Sequence, residues 1–330
     1  MDVLFLHNGE PHEVHSSWAE SVDADFMQIK HGKLGILQAI HPKLFKYDVL
    51  LCEDSGSTRT AALHKQIRPG TKIVRMIVGG TYYMIQNGHD AMKGEKWAAK
   101  KVDGAIADSE WIKEQAETFL DCPIKVINPY IDEERKEKLM EETGEEREGI
   151  LTVARHTRKN GWKGTDVLEE AAEKGDFQAK LIGNKTDLEY HKNVENLGYV
   201  PEEKLIHELK TSKIYVQPSR ADAFGISVLE AIAAGSIPVV TENVGAKEIV
   251  RNVDENLIRK FDAEDLAEGV KYADLGDGAR EKILEELQNK LGNFEKENSI
   301  SKFSEEFQEI MDRYSEKESR DNSTSEKNEK

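Results

Sequence analysis

Short apolar runs alternate with amphipathic stretches along this chain, and the alternation occurs twice. The apolar runs have the length of buried strands, and the stretches between them have helical spacing. Strands that alternate with helices form a mainly parallel sheet through right-handed crossovers. The sequence therefore predicts two doubly wound α/β units in series, which bind ligands at the carboxyl ends of their strands. The predicted strands are Val3–Leu6, Asp25–Ile29, Tyr47–Cys52, Lys72–Val78, Gly104–Ala107, Ile124–Ile127, Gly149–Ala154, Phe177–Ile182, Val194–Leu197, Lys213–Gln217 and Ile237–Thr241.

A change of composition between the two sets of strands predicts the domain boundary. Residues 132–148 include nine acidic and four basic residues and few apolar ones. Such a segment is typical of a solvated helix and linker. We therefore predict a first domain over residues 1–131 and a second over 149–299. The Ser-, Glu-, Lys- and Asn-rich residues 315–330 are predicted to be a disordered tail.

Charge and hydropathy exclude several classes of protein. The chain has 46 Lys and Arg against 63 Asp and Glu, a formal net charge of −17, which excludes general nucleic-acid binding because phosphates need a basic surface. A local cationic pocket for one small anion is still compatible with this charge. No apolar stretch approaches the roughly 20 residues that span a bilayer. The first residues lack the basic start of a signal peptide, so we expect a cytoplasmic protein.

Cysteine and histidine spacing indicates neither a disulfide framework nor a metal site. Cys52 and Cys122 are far apart in sequence, and we expect both to be free thiols in or near strands. The His-rich loop over residues 7–15 fits no strong metal-ligand motif, and a polar loop is the favoured interpretation.

The segment Lys30–Lys46 mixes Lys and His with Leu, Ile and Phe. A helix that packs on the first sheet is the favoured interpretation. A helix on a membrane surface is the alternative, which would bring the protein to the cytoplasmic membrane face as a peripheral partner.

The residues from Val216 to Val250 have the richest functional pattern. A strand is predicted to end at Gln217, and a loop of small residues then leads directly into a helix. The unpaired first amides of that helix and its dipole suit a phosphate. Glu230, a little over one turn into the helix, can accept two hydrogen bonds from a ribose diol, and Asp222 can accept bonds from sugar hydroxyls.

This segment resembles family 4 of the retaining glycosyltransferases, which have the GT-B fold. The family signature is an acidic residue, seven intervening residues and a glutamate, here Asp222 and Glu230 with Phe224 and Gly225 between them. The family usually has Glu at the first position, and this chain has Asp. The resemblance implies two Rossmann-like domains that face a cleft, and a final helix, 300–314, that crosses back to the first domain. It also implies a catalytic Asp222, and a donor site that includes Glu230, Phe224, Gly225 and Ile226.

The resemblance extends over most of the second half. In the segment ILTVARHTRKNGWKGTD, it implies that Arg155 and Lys163 bind the donor diphosphate and act in catalysis, with Lys159 as the competing choice for the lysine. The segments LIGNKTD and VENLGYV match the next parts of the family pattern. They add Gly183 and Tyr199 to the expected donor site.

The first half departs from the family near the expected acceptor. Such enzymes often have a histidine after the fourth strand, and the corresponding segment RMIVGGTYYMI has none. Gly80 would lie at the cleft there instead. His12 and Glu10, in the loop after the first strand, are weaker candidates for acceptor contact or for a general base.

These features predict a retaining glycosyltransferase. It would move a sugar from a nucleotide diphosphate sugar to a hydroxyl of a glycan, lipid carrier or small metabolite, without a cofactor or an obligatory metal. Two alternatives stay open. One is a sugar phosphorylase or a sugar-nucleotide epimerase on the same fold, and the other is a non-catalytic subunit that binds sugar nucleotides.

Overall fold

The computed structural model describes residues 1–30, 33–88, 94–155, 161–183 and 189–328. The chain forms two compact units. Each unit contains a parallel six-stranded sheet with helices around it. The first unit consists of Met1–Asp108, Lys113–Ile127 and Glu297–Lys330, and the second of Ser109–Ile112 and Asn128–Lys296.

The sheet of the first unit has the strand order β2-β1-β3-β4-β5-β6. Its central strands are buried apolar runs such as Val49–Cys52, as expected when helices cover both faces of a parallel sheet. The strands are β1 (Val3–His7), β2 (Asp25–Gln28), β3 (Val49–Cys52), β4 (Lys72–Ile77), β5 (Gly104–Ala107) and β6 (Ile124–Val126). The helices before residue 109 are α1 (Glu13–Glu20), α2 (Lys33–Leu37), α3 (Ser55–Ile67), α4 (Thr81–Gln86) and α5 (Glu95–Ala99).

The second unit repeats this arrangement with the strand order β12-β11-β10-β7-β8-β9. The strands are β7 (Ile150–Ala154), β8 (Ala179–Gly183), β9 (Val194–Gly198), β10 (Ile214–Gln217), β11 (Ile237–Thr241) and β12 (Ile258–Arg259). The remaining helices before the last one are α6 (Glu110–Glu117), α7 (Glu133–Met140), α8 (Thr165–Gly175), α9 (Glu202–Thr211), α10 (Ile226–Ala234), α11 (Lys247–Arg251), α12 (Ala263–Ala273) and α13 (Asp277–Asn289). Helix α6 begins in the short Ser109–Ile112 segment of the second unit and ends in the first.

The last helix, α14 (Lys296–Asn328), belongs to the first unit from its second residue, Glu297, onward. The Trp18 ring stacks on Phe303 at 5.4 Å, and its Nε1 donates a hydrogen bond of 3.0 Å to Ser299 Oγ. Further along the helix, Ile310 covers Gly104 so closely that a Cβ there would lie 2.4 Å from an Ile310 carbon. The end of the chain therefore completes the core of the first unit.

The segment 132–148, predicted as a solvated helix and linker, contains helix α7 (Glu133–Met140). Helix α7 belongs to the second unit and packs on α9 and α10, with Leu139 buried. The acidic composition reflects the solvated face of this helix, whereas one leucine and one arginine, Arg135, face its neighbours.

The backbone of α14 is helical as far as Asn328, where the sequence predicted a disordered tail from Ser315. The helix is already nucleated by its packed first half, so each further residue adds a hydrogen bond without a new nucleation cost. Glu, Lys and Arg are also favourable helix residues. Composition alone did not account for this continuation.

Both cysteines are free, as the sequence predicted. Cys52 is buried in β3, and burial raises the pKa of its thiol. Burial also raises the pKa of Cys122, to about 12. Both side chains are therefore neutral thiols at physiological pH.

Candidate functional site

Asp222 lies at the carboxyl edge of the second sheet, in the loop between β10 and α10. Its N–H donates to Asn243 O at 2.9 Å, and its carbonyl accepts from the N–H of Gly245 at 3.1 Å. These bonds form a parallel bridge between Asp222 and Val244. The loop is thus fixed to the chain that follows β11, and its backbone is held at both sides of the carboxylate.

Polar side chains from the end of β10 orient the Asp222 carboxylate. Gln217 Nε2 donates to Asp222 Oδ2 at 2.9 Å, and Ser219 Oγ lies 3.4 Å from the same oxygen. The Tyr215 hydroxyl lies 2.5 Å from Gln217 Oε1, which fixes the amide in turn. Burial raises the pKa of Tyr215, so it stays protonated as a donor.

Lys163 meets Asp222 from the turn that precedes α8. Its Nζ lies 2.5 Å from Asp222 Oδ2, so that oxygen receives bonds from three side chains. Within the described part of the chain, no hydrogen bond reaches Asp222 Oδ1. The arrangement leaves one carboxylate oxygen for the hydroxyl of a ligand and keeps a cation beside it.

The turn that carries Lys163 is fastened to the Asp222 loop through the backbone. Trp162 O accepts a hydrogen bond of 2.8 Å from the N–H of Arg220. Gly164 has a φ of +61°, and a Cβ at this position would lie 1.8 Å from Pro218 O. Only glycine fits this left-handed conformation and this close approach. The two segments that hold Lys163 and Asp222 are therefore in direct contact.

The entry into α10 has the geometry expected for an anion site. Gly225 precedes the helix with a φ of +93°, and Ile226 is its first residue. The first N–H groups of a helix have no partner within it and suit an anionic group, although Val228 N here already donates to Gly225 O at 2.9 Å. Phe224 is buried, its ring lies 5.7 Å from that of Phe294, and its carbonyl accepts from Ala246 N at 2.8 Å. The Phe224 side chain thus packs in the core. Only the main chain of Phe224 is left for the contact with the donor that the sequence predicted.

Glu230 faces a partner that the sequence did not reveal. The Nε of Arg135, on α7, donates to Glu230 Oε1. Arg135 NH1 also lies 2.8 Å from Glu202 Oε1, on α9. The Glu230 side chain is largely buried, whereas that of Glu202 is exposed. The arginine therefore fixes one oxygen of Glu230 and neutralises a carboxylate that is partly removed from water.

The other expected donor residues lie at strand ends of the same sheet. Arg155 is exposed directly after β7, and no described residue forms an ion pair with it. Gly183 is the buried last residue of β8, and Tyr199 is exposed directly after β9. Lys159, the alternative to Lys163, lies outside the described residues. The carboxyl edge of the sheet thus carries every described member of the predicted donor site except the helix residue Glu230.

The segment Ser109–Ile112 holds a second carboxylate of this unit, that of Glu248. Glu248 Oε1 accepts a hydrogen bond of 3.0 Å from Trp111 N, and burial raises the pKa of Glu248. Ser109 Oγ donates to Ala223 O at 2.6 Å, beside Asp222. A Cβ on Gly245 would lie 2.2 Å from that carbonyl. These contacts brace the back of the loop that contains Asp222.

The first unit has its own polar cavity, of about 300 Å³, at the carboxyl ends of β1, β3 and β4. Glu53, next to β3, accepts from His15 Nδ1 at 2.8 Å. The buried Arg75 forms an ion pair with Glu95, and its NH2 donates to Ser55 Oγ at 3.3 Å. The cavity thus offers both hydrogen-bond donors and acceptors. Its polar lining includes Asn8, Glu53, Asp54, Ser55, Arg75 and Thr81.

The weaker candidates of the first half do not line this cavity. His12 is the N-cap of α1, where its Nδ1 accepts from Val14 N at 3.3 Å. Gly80 is the N-cap of α4, and Glu10 is exposed in the loop after β1. His12 reaches the cavity only indirectly, because its N–H lies 3.4 Å from Glu53 Oε1. An arginine inside the apolar strand run KIVRMI was the signal that could have identified Arg75.

The described residues contain no cluster of three His, Cys, Asp or Glu side chains that could hold a metal ion. None of their helices combines the length and the apolar character needed to cross a membrane.

The two parallel sheets and the strand-edge site define the GT-B class of fold. Solved structures with this fold superpose on nearly the whole chain. Sucrose-phosphate synthase from Thermosynechococcus elongatus has a TM-score of 0.71 at 14% identity, covering 94% of this chain and 99% of that one. Anabaena Alr3699/HepE in complex with UDP and glucose has a TM-score of 0.70 at 15% identity, covering 94% and 100%. Residues 136–298 match the family model Glycosyl transferases group 1.

The curated relatives match over shorter stretches. A glycogen synthase of Bacillus cereus (strain ATCC 10987 / NRS 248) is 30% identical over 150 residues, which cover 39% of this chain and 31% of the relative. A glycogen synthase of Bacillus cereus (strain Q1) is 26% identical over 198 residues, which cover 52% and 41%. The match therefore spans less than half the length of these relatives.

Proposed function

We propose that this chain is a glycosyltransferase that moves a sugar from a nucleotide diphosphate sugar to an acceptor hydroxyl, with retention at the anomeric carbon. The observation that carries the proposal is the Lys163–Asp222 pair of 2.5 Å at the carboxyl edge of the second sheet. It lies beside the entry to α10, and Glu230 follows on that helix. The match of residues 136–298 to the family Glycosyl transferases group 1 supports the same chemistry.

Each group has a role that its surroundings support. The exposed Arg155, Lys163 and the first amides of α10 would bind the donor diphosphate, whose negative charge grows as the sugar leaves. Asp222 Oδ1 would accept a hydroxyl of the transferred sugar. Glu230, held by Arg135, would accept the ribose hydroxyls with its other oxygen. These cations would do the work of a metal, so we propose that none is obligatory.

We propose that the acceptor binds in the polar cavity of the first unit. Glu53 and Asp54 can accept bonds from hydroxyls, and Arg75, Ser55 and Thr81 can donate them. This mixture suits a neutral polyol better than a strongly charged group. In this route the acceptor hydroxyl attacks the face of the sugar from which the diphosphate departs, and its proton passes to that diphosphate. The route needs no covalent nucleophile.

UDP-glucose is the first donor to test, since UDP and UDP-glucose occupy solved structures of Anabaena Alr3699/HepE that share this fold. Nucleotide release would be measured with UDP-, GDP- and ADP-sugars, for the unaltered protein and for Glu230→Ala. Release from one donor, lost in the variant and unaffected by EDTA, would support the proposal.

The alternatives give different results in the same assay. If added phosphate led to release of a sugar phosphate, the protein would be a phosphorylase. If one sugar nucleotide were converted into another without an acceptor, it would be an epimerase. Tight nucleotide binding without release, even with acceptors from a cell extract, would favour a non-catalytic binding subunit. If no donor bound, the site itself would be wrongly assigned.

A cytoplasmic location remains a prediction from the sequence.

A further inference from the structure

Four large apolar side chains are exposed along one segment of the first unit, from Leu34 to Phe45. Leu34, Leu37 and Ile40 are 57%, 64% and 62% exposed, and Phe45 is 42% exposed. Together they are four of the ten large hydrophobic residues found exposed in the described chain. A cavity of about 440 Å³ joins the three aliphatic side chains and Lys30 into one continuous surface. We call the exposed residues Leu34, Leu37, Ile40 and Phe45, together with Lys30 and Lys46, the Leu34–Phe45 surface. A concentration of this kind marks an interaction site rather than scattered surface residues.

The exposure of these side chains follows from how the segment is fastened. Gln38 accepts from Lys30 N at 2.7 Å and donates to Gln28 O at 3.3 Å, which ties the segment to the end of β2. From α3, Thr60 Oγ1 donates to Gly35 O at 3.1 Å, and His64 Nδ1 lies 2.8 Å from Ala39 O. These bonds fix the inner side of the segment.

The buried apolar residues complete this attachment. Ala39 and Leu44 are buried, whereas their apolar neighbours Leu37 and Ile40 are turned to solvent. The segment was expected to pack its apolar residues on the first sheet as one helix. Instead, α2 ends at Leu37, and two short 3₁₀ turns, Gln38–Ile40 and Pro42–Lys46, follow. Within these two turns Ala39 and Leu44 are buried, and Ile40 and Phe45 are exposed.

The charge around these residues is opposite to that of the whole protein. No Asp or Glu occurs between Lys30 and Lys46, although the chain has 63 acidic residues and a net charge of −17. Lys30 and His41 are exposed and line the same cavity as the aliphatic side chains, and Lys46 is exposed next to Phe45 in the sequence. Lys43 Nζ donates to Phe26 O at 3.0 Å, so this lysine is tied to β2.

We propose that the Leu34–Phe45 surface binds the interface of an anionic lipid bilayer. Aliphatic side chains that project among lysines suit the boundary between acyl chains and anionic headgroups. Protein interfaces are instead depleted in Lys and enriched in Tyr, Trp and Arg, and the positively charged residues of this surface are all lysines. The residues all belong to the first unit, so the proposal does not depend on the donor chemistry of the second.

The test is co-sedimentation of the full chain with phosphatidylcholine vesicles, with and without phosphatidylglycerol. We expect binding to the anionic vesicles only. The double variant Leu37→Ser/Ile40→Ser should reduce the partition coefficient by about tenfold or more, because both side chains would lose their burial in lipid. Lys46→Glu should reduce it as well and make the remaining binding less dependent on salt.

Matched controls lie in the second unit. Met140 and Lys204 are also exposed, and Met140→Ser and Lys204→Glu should leave vesicle binding unchanged. All variants should keep the thermal unfolding midpoint and the nucleotide release of the unaltered protein, since they replace exposed side chains. The proposal is overturned if the unaltered protein stays in the supernatant with anionic vesicles. It is equally overturned if the double variant binds these vesicles as well as the unaltered protein does. It is also overturned if the double variant abolishes a vesicle-independent dimer, because the surface would then join two copies of the chain.

Discussion

Lys163 Nζ and Asp222 Oδ2 lie 2.5 Å apart and join the turn before α8 to the loop before α10. In the proposed mechanism these two residues act on different parts of the donor, the lysine on the diphosphate and the aspartate on the sugar. Their ion pair neutralises Asp222 before a ligand arrives. A bound diphosphate would compete for the same ammonium group, so the two roles can be separated by mutation.

Asp222→Asn should separate nucleotide binding from transfer. The amide keeps the size of the side chain and an oxygen for Gln217 Nε2, but it releases Lys163 from its ion pair. We expect UDP affinity to be equal or higher, measured by titration calorimetry, while nucleotide release falls by about a hundredfold or more, as when a group that acts in the transition state is lost. Lys163→Met should instead weaken UDP binding by about tenfold or more, because a charge-assisted bond is lost. Loss of UDP affinity in Asp222→Asn would show that the carboxylate assembles the site rather than contacting the sugar.

Arg135→Met tests whether the arginine on α7 positions Glu230. Without it, the carboxylate that would hold the ribose loses the hydrogen bond that it accepts from Arg135 Nε. Ribose contacts bind ground and transition states alike, so the KM for the donor should rise by about tenfold while kcat changes little. The measurement is steady-state nucleotide release as a function of donor concentration.

Glu202→Gln is the matched control for this experiment. It removes the exposed partner of Arg135, and exposed ion pairs contribute about 0–1 kcal/mol. We expect its donor KM to stay close to that of the unaltered protein. A fall in kcat at unchanged KM in Arg135→Met would contradict a positioning role, and an equal effect of both variants would point to the packing of α7 instead.

Gly164→Ala should disrupt the donor site through the backbone. A methyl group would lie 1.8 Å from Pro218 O, on a residue with a φ of +61°. A non-glycine residue in this region costs about 1–3 kcal/mol before any clash is counted. We expect a lower thermal unfolding midpoint and lost UDP affinity, since the turn can no longer lie against the Asp222 loop.

Gly278→Ala provides the comparison. Gly278 lies in α13 with no atom within 4 Å of a Cβ, so alanine should stabilise the helix by about 0.5–1 kcal/mol and leave UDP binding unchanged. If Gly164→Ala bound UDP with normal affinity, the contact between the two segments would not be needed for the site.

The fold and the acidic pair were predictable because their signals are local. Buried parallel strands are continuous apolar runs, and Asp222 and Glu230 are joined by a short strand–loop–helix pattern. Arg135 was not predictable, since it lies 95 positions from Glu230 and meets it only when α7 packs on α10. The same limit applies to Leu37 and Ile40. Their apolar character predicted burial, whereas bonds from Gln38, Thr60 and His64 turn them outward.

His64 should make the stability of the protein depend on pH. Its ring is buried, its Nδ1 lies 2.8 Å from Ala39 O, and its Nε2 has no hydrogen-bond partner among the described residues. Nδ1 therefore carries the proton and donates a hydrogen bond to Ala39 O. Burial lowers the pKa of His64 below its ordinary value of 6.5, and the nearby Arg68 adds to this effect.

The unfolded chain therefore binds a proton at this residue more readily than the folded protein does. Stability from this group is complete above a pH of about 6.5 and is lost as the pH falls towards the folded pKa. His64→Gln keeps a donor for Ala39 O but cannot take up a proton. Urea unfolding of both proteins between pH 8 and pH 5, roughly the range in which histidine changes charge, should give a free-energy difference that shifts in favour of the variant at low pH. A difference that stays constant over this range would mean that His64 is protonated equally in both states.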